Sequence, residues 1–225
     1  MKILTWNMQG AGSNEETSNA SDVLTALHNG IDILLLQETG GYPDWGLKPT
    51  NCGGVTLMEG ERNFGSSRWP KWAHIIWYDS TANTKAKHDR CSMAVIATNY
   101  SGRYGVVSHH SDGLRPLIGI KTNDGIWAYS IHAPSGNHKS ASGVAASLLS
   151  VISKEKYVCA GDYNCSPADM QWRGYAPTWT AGRTHQNGNT LDFAIGNKVA
   201  VTAYAGGSSM PAFVSDHYSR CFEVQ

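Results

Sequence analysis

The chain has 225 residues, with 18 basic and 18 acidic side chains and a formal net charge of zero. That length suits one layered domain, and the charge balance excludes the general electrostatic grip on nucleic acid of a strongly basic protein. No apolar run reaches the roughly 18 residues needed to span a bilayer, and a low charged fraction with 24 glycines points to a strand-rich fold with many turns.

Residues 2–7 read as a first strand directly after Met1. No h-region with a small-residue cleavage site precedes it, which leaves two origins open, a cytosolic start or a signal peptide already removed. Ser21-Asp22 is expected to cap a helix running to Asn29, with Val23, Leu24 and Leu27 on its apolar side and Asn29-Gly30 as the stop. Residues 31–37 form a continuous apolar run, typical of a strand buried on both faces. Residues 40–68 are punctuated by Gly and Pro and read as a long irregular segment. Residues 72–78, 92–98, 105–108, 117–121 and 126–132 look like consecutive strands, with Thr122-Asn123-Asp124-Gly125 supplying hairpin chemistry. A second helix is expected over 142–153, where Val144, Leu148, Leu149 and Ile152 fall at helical spacing. Strands over 156–160, 191–195 and 220–224 complete the chain. This order predicts an α/β fold of two sheets packed face to face with helices outside. No linker, low-complexity tract or short-period repeat divides it, so residues 1–225 read as a single domain. Cys52, Cys91, Cys159, Cys165 and Cys221 have no metal-type spacing; small buried thiols are the favoured reading, with a disulfide between some pair as the alternative.

Short polar motifs accompany the apolar runs: Trp6-Asn7, Gln37-Glu38, His132 in Ser130-Ile131-His132-Ala133-Pro134, Gly161-Asp162-Tyr163-Asn164, Leu191-Asp192-Phe193 and Ser215-Asp216-His217. Each has an ordinary explanation when taken alone. Asp and Asn favour turns, a strand-end carboxylate can cap one, and a lone histidine in an apolar strand is usually a satisfied core residue. Together they supply the carboxylates, amides and two histidines that metal-assisted phosphodiester cleavage needs. Glu38 ends a buried strand, where its charge is costly unless paired or metal-bound. Oxygen ligands of this kind suit Mg²⁺.

In this order the motifs resemble the endonuclease/exonuclease/phosphatase superfamily, which includes deoxyribonuclease I, apurinic endonucleases, inositol-polyphosphate 5-phosphatases and neutral sphingomyelinases. Within it, the stretches Leu35-Leu36-Gln37-Glu38-Thr39-Gly40, Arg115-Pro116-Leu117-Ile118-Gly119-Ile120, Ser130-Ile131-His132-Ala133, Ala160-Gly161-Asp162-Tyr163-Asn164-Cys165-Ser166-Pro167 and Ser215-Asp216-His217-Tyr218 are most similar to catalytic subunits of cytolethal distending toxins. The resemblance implies a four-layer α/β/β/α sandwich, deoxyribonuclease I-like, acting as a single catalytic domain. It implies Glu38 as principal metal ligand, with Asn7 and Asp216 near the same ion, Mg²⁺ being expected with Mn²⁺ or Ca²⁺ in support. It makes Asp162 the residue that orients or deprotonates the attacking water and gives Asn164 a phosphate oxygen. Asp192 and His217 resemble the family's dyad, in which a carboxylate fixes the imidazole tautomer and raises its pKa. His132 matches the second family histidine, protonating the leaving oxygen or binding the phosphate, and Arg115 matches a phosphate-contacting arginine. Deoxyribonuclease I pairs its first catalytic histidine with a glutamate; none stands between Glu61 and His132 here, so that partner is unassigned.

The implied activity is a Mg²⁺-dependent DNA endonuclease that nicks duplex DNA with little sequence preference, working through backbone contacts. The alternative is a phosphoinositide phosphatase using the same metal site. Zero net charge leaves room for a local basic stripe, which Arg62, Arg68, Lys71, Lys85, Lys87 and Arg90 could form, while His109, His110 and His138 have no clear role. Since every main site position carries a competent residue, a non-catalytic binding homologue is disfavoured. The resemblance also implies a secreted toxin or effector acting in a host cell, including its nucleus, with delivery or receptor-binding subunits as partners.

Overall fold

The structure is a computed structural model and describes residues 1–9, 16–41, 44–83, 89–109, 114–180, 182–204 and 215–225. Strand β1 (Lys2–Asn7) is followed by helix α1 (Glu16–His28), which begins earlier than expected. Ser21 and Asp22 therefore lie inside the helix, where the Thr25 hydroxyl donates to the Ser21 carbonyl at 2.8 Å. The helix buries Val23, Ala26 and Leu27 and ends at Gly30, whose φ of 80° only glycine adopts without cost. Strand β2 (Ile33–Gln37) is buried throughout.

The segment read as irregular contains a hairpin instead, β3 (Lys48–Cys52) and β4 (Val55–Asn63), turned by Gly53-Gly54 with both φ values positive. Its side chains are mostly half-buried or exposed and largely polar, so no apolar run announces the strands, and β3 tolerates Pro49 because it is an edge strand. Strand β5 (Trp72–Tyr78), a short helix α2 (Ser80–Asn83), a 3₁₀ turn at Asp89–Cys91 and β6 (Met93–Ala97) follow.

Next come β7 (Arg103–Val107), β8 (Leu117–Lys121) and β9 (Trp127–His132), close to the expected bounds. Helix α3 (His138–Val151) starts four residues earlier than 142 because Asn137 is its cap, accepting from the backbone N–H groups of Lys139 and Ser140. Strand β10 (Tyr157–Asp162) leads into α4 (Pro167–Trp172), a helix not foreseen, which Ser166 and Asp169 start with a reciprocal capping box. The chain closes with β11 (Trp179–Thr180), β12 (Asp192–Asn197), β13 (Val201–Ala203) and β14 (Arg220–Val224).

Two mixed sheets result, in the orders β13-β14-β1-β2-β6-β5-β4-β3 and β11-β12-β10-β9-β8-β7. Parallel pairing joins β1 to β2 and β9 to β10, and the neighbouring ladders are antiparallel. A central core between the sheets gathers Ile3, Ile33, Leu35 and Ile76 from one side with Ile118, Val158 and Ala194 from the other. Helix α1 covers the outer face of the larger sheet over Leu34, Leu36 and Ile75, while α3 and α4 cover the smaller one over Tyr129, Ile131 and Cys159. The expected sandwich of helix, two sheets and helix is therefore present. The five cysteines are free thiols.

Candidate active site

One end of this sandwich collects the polar motifs, because register forces them there. Asn7 lies beside Gln37 at the ends of β1 and β2, and Met93 lies across from Gln37. In the other sheet His132 lies beside Asp162, and Asp162 across from Asp192. The sheets are tied behind the site by Gln37, whose buried Nε2 donates to Ser130 Oγ at 2.8 Å and to the Leu35 carbonyl at 2.9 Å.

Three strands leave the site through non-glycine residues with positive φ: Gln9 at 55°, Glu38 at 49° and Asn164 at 48°. A side chain in this left-handed region costs about 1–2 kcal/mol, and here each such turn carries a polar side chain of the network. The Asn164 turn is anchored from below by Tyr163, stacked on Phe193 with ring centroids 4.1 Å apart and bonded through its hydroxyl to the Cys159 carbonyl.

Asp162 is the hub. Its carboxylate accepts from Asn7 Nδ2 at 2.9 Å, from the Asn164 N–H at 2.8 Å and from Asn164 Nδ2 at 3.1 Å. The Nε2 atoms of His132 and His217 each stand 3.8 Å from its Oδ2. Burial, reinforced by the nearby Asp192 carboxylate, pushes the Asp162 acid up to about 7, against the opposing pull of His217 and the Asn164 and Asn7 hydrogen bonds. His217 Nδ1 meets Asp192 Oδ2 at 2.8 Å. Burial alone would lower the His217 imidazole, but the Asp192 bond and the charges of Asp192, Asp162 and Asp216 outweigh it and raise the ring to about 9.

His132 behaves oppositely. Burial first, then the Arg115, His217 and Arg90 cations, hold it well below the ordinary histidine value, so it is neutral near pH 7. Its Nε2 lies 3.4 Å from Glu38 Oε1. Arg115 Nη1 stands 2.9 and 3.0 Å from the two ring nitrogens, a near-equal spacing that places the guanidinium over the ring rather than in line with one nitrogen. Arg115 and Asn164 also converge on the Ala133 carbonyl, at 3.1 and 2.9 Å.

All nine expected residues thus join one network: Asn7, Glu38, Arg115, His132, Asp162, Asn164, Asp192, Asp216 and His217. The ligand atoms of Asp162, Asp192 and His217 lie within 4.8 Å of one another, as do those of His185, Asp216 and His217. Glu38 stands apart from both groups and connects through His132 and through Arg90, whose Nε is 2.6 Å from Glu38 Oε2 and whose charge also feels Asp216. The donors fit a hard divalent cation: they are mainly carboxylates, Asp192 Oδ1 is buried with no hydrogen-bond partner among the described residues, and Glu38 already holds a cationic group. Asn7 Oδ1 accepts the Gln9 N–H at 3.0 Å and retains a second lone pair.

Several residues here carry no local signal in the sequence. Thr184 Oγ1 accepts the N–H groups of Leu191 and Asp192, fixing the start of β12. Backbone pairing of His185 with His217, and Gln186 N–H donation to the Asp216 carbonyl at 2.8 Å, clamp the Ser215-Asp216-His217 segment in place. Ser215 Oγ donates to the Asn7 carbonyl at 2.7 Å, and Gln9 Oε1 accepts the Asp216 N–H at 3.0 Å.

Among the described residues, the expected basic stripe does not form. Arg62 pairs with Ala73 at the end of the β4–β5 hairpin away from Tyr78 and Met93, and Arg68 and Lys71 lie in the connection at that same far end. Only Arg90 of the described members reaches the site; Lys85, Lys87 and also His110 lie outside the described residues. His138 stands beside Asp169, joining the starts of α3 and α4.

The sequence model of the Endonuclease/Exonuclease/phosphatase family matches residues 4–217. A cytolethal distending toxin subunit of Escherichia coli is 25% identical over 220 residues, covering 88% of this chain and 80% of that protein. A homolog of that toxin subunit in Salmonella typhi is 24% identical over 243 residues, covering 98% of this chain and 88% of that protein. Among solved structures, the Haemophilus ducreyi cytolethal distending toxin superposes with a TM-score of 0.76 at 21% identity, covering 98% of this chain and 96% of that one, which shows a common fold.

Proposed function

The chain belongs to the endonuclease/exonuclease/phosphatase family, and from that premise we propose that residues 1–225 act as one catalytic domain, a Mg²⁺-dependent endonuclease nicking duplex DNA with little sequence preference. The observation that carries this is the single network joining Glu38, His132, Asp162, Asp192 and His217 at the edge where the two sheets meet.

Glu38, Asn7 and Asp216 would hold the metal, and a bound Mg²⁺ supplies charge neutralisation at a phosphate oxygen and at the leaving alkoxide. The chain's own residues do the rest. Asp162, an acid poised near neutrality, accepts the proton of the attacking water as its oxygen bonds to phosphorus and the P–O bond to the leaving group breaks. His217, protonated at neutral pH and fixed by Asp192, holds negative charge building on the phosphate, with Asn164 and Arg115 beside it. His132 is expected to protonate the leaving oxygen or bind the phosphate; burial and the Arg115 cation hold its ring well below the ordinary histidine value, which supports the phosphate-binding role by a neutral hydrogen bond.

Supercoiled plasmid conversion to nicked and linear forms tests this. We expect nicking with Mg²⁺, none with EDTA, and loss of activity in Glu38→Gln and His132→Ala with little change in folding. Full activity in either folded variant would sink the assignment. The absence of a basic stripe at the site, among the described residues, favours one second reading, hydrolysis of a small phosphoester such as a phosphoinositide headgroup; phosphate release by a protein that does not nick DNA selects it. The Escherichia coli and Salmonella typhi relatives carry the names of a distending-toxin subunit and a homolog of one, and that likeness supports our reading of the chain as a secreted toxin component that acts in a host cell with delivery subunits.

A further inference from the structure

We propose that His185 is a positioning residue that aims the Asp216 carboxylate and thereby sets the affinity of the site for its divalent cation. The inference rests on the reading of Asp216 as a metal ligand.

The tautomer of His185 decides what the ring can do. Its Nδ1 accepts the backbone N–H of Asn187 at 3.1 Å, within the tight turn in which Thr184 and His185 N–H groups both donate to the Asn189 carbonyl. A nitrogen that accepts an amide proton carries its lone pair there, so the ring proton belongs on Nε2. That atom lies 3.3 Å from Asp216 Oδ2, an N–H aimed at a carboxylate oxygen. The same occupancy argues against His185 as a direct metal ligand, since its Nε2 lone pair is used by the proton. The ring is itself held edge-on to His217, with centroids 4.7 Å apart, and its backbone pairs with His217.

Asp216 is consequently gripped on one oxygen by His185, while Oδ1 lies 3.8 Å from His217 Nε2. Its side chain is one-third exposed and, among the described residues, has no neighbour like the Asn7 and Asn164 amides that fix Asp162. Without His185, the carboxylate would rotate and spend its time in solvent. Hydrogen-bond partners that orient a metal ligand typically contribute about 10–100-fold to metal affinity.

Titration of Mn²⁺ into metal-free protein, followed by calorimetry without substrate, gives a readout independent of activity. His185→Ala should weaken Mn²⁺ binding by about 10-fold or more and raise the Mg²⁺ concentration for half-maximal nicking by a similar factor. His185→Gln, which returns an N–H donor near the Nε2 position, should recover most of the loss in both. Glu38→Gln serves as the control for the underlying metal site. If Glu38→Gln loses Mn²⁺ while His185→Ala binds as the parent does, the role of His185 is overturned and the metal site stands. Equal weakening in His185→Ala and His185→Gln also overturns it, because the donor would then not matter. A parent protein that binds no Mn²⁺ overturns the metal reading and this inference together.

Discussion

At the scale of single residues, the site separates two histidines that look alike in the sequence. Burial beside Arg115 keeps His132 neutral, whereas Asp192 holds the proton on His217. The sign of the resulting pH dependence follows. His217 is raised in the folded state, so its contribution to stability is complete below its unfolded value near 6.5 and is lost as pH rises through about 9. Asp162, raised from the ordinary carboxylate range to about 7, adds a loss of the same sign at lower pH. Chemical denaturation of EDTA-treated protein should therefore show stability falling between pH 6.5 and 9. Asp192→Asn should flatten that fall, and a parent-like slope in the variant would remove Asp192 as the cause. The nine candidate positions that the fold brings together are legible because each ends a recognisable strand or stands in a short motif. His185, Gln186 and Gln9 are not, and Arg90 is legible only as a cation, since their importance comes from partners between about 30 and about 200 residues away in the chain, which local pattern does not encode.

At the scale of elements, what was legible depended on burial. Strands β1, β5 and β8 match their expected bounds because largely buried strands write apolar runs, and β14 matches too although Arg220 and Glu223 interrupt it. The β3–β4 hairpin has no apolar signature because Lys48, Asn51, Glu59 and Arg62 break its pattern, and the start of helix α3 is hidden because its cap, Asn137, has the composition of a loop. One element also shows how closely the sheets approach. Gly161 in β10 has φ 151°, and a Cβ there would collide with the Ile131 carbonyl and come 2.9 Å from Gln37 Nε2, the bridge between the sheets. Gly161→Ala should cost about 2–4 kcal/mol, the combined penalty of backbone strain and a disturbed buried contact. Urea denaturation measures it; an unchanged midpoint would show that the sheets can part without cost.

For the whole molecule, neutral net charge and the remote position of Arg62, Arg68 and Lys71 limit how many phosphates the protein can neutralise at once. With Arg90, Arg115 and His217 as the cationic contacts, log affinity for duplex DNA should fall with log salt at a slope of about −2 to −3, from roughly −0.9 per phosphate contact. Fluorescence anisotropy of a labelled duplex between low and physiological salt gives this slope, and a value beyond about −6 would demand a basic surface not among these residues. The connectivity has a different kind of consequence. Asn7 meets Asp162 across 155 residues and Ser215 meets Asn7 across 208, while β14, the last strand, sits between β13 and β1 inside the larger sheet. Contacts of such separation form slowly and late, because loop closure must precede their reward. A refolding or newly synthesised chain can hold most of its secondary structure before position 215 reaches position 7. Catalysis is the last property it acquires, and its onset times the final step of folding.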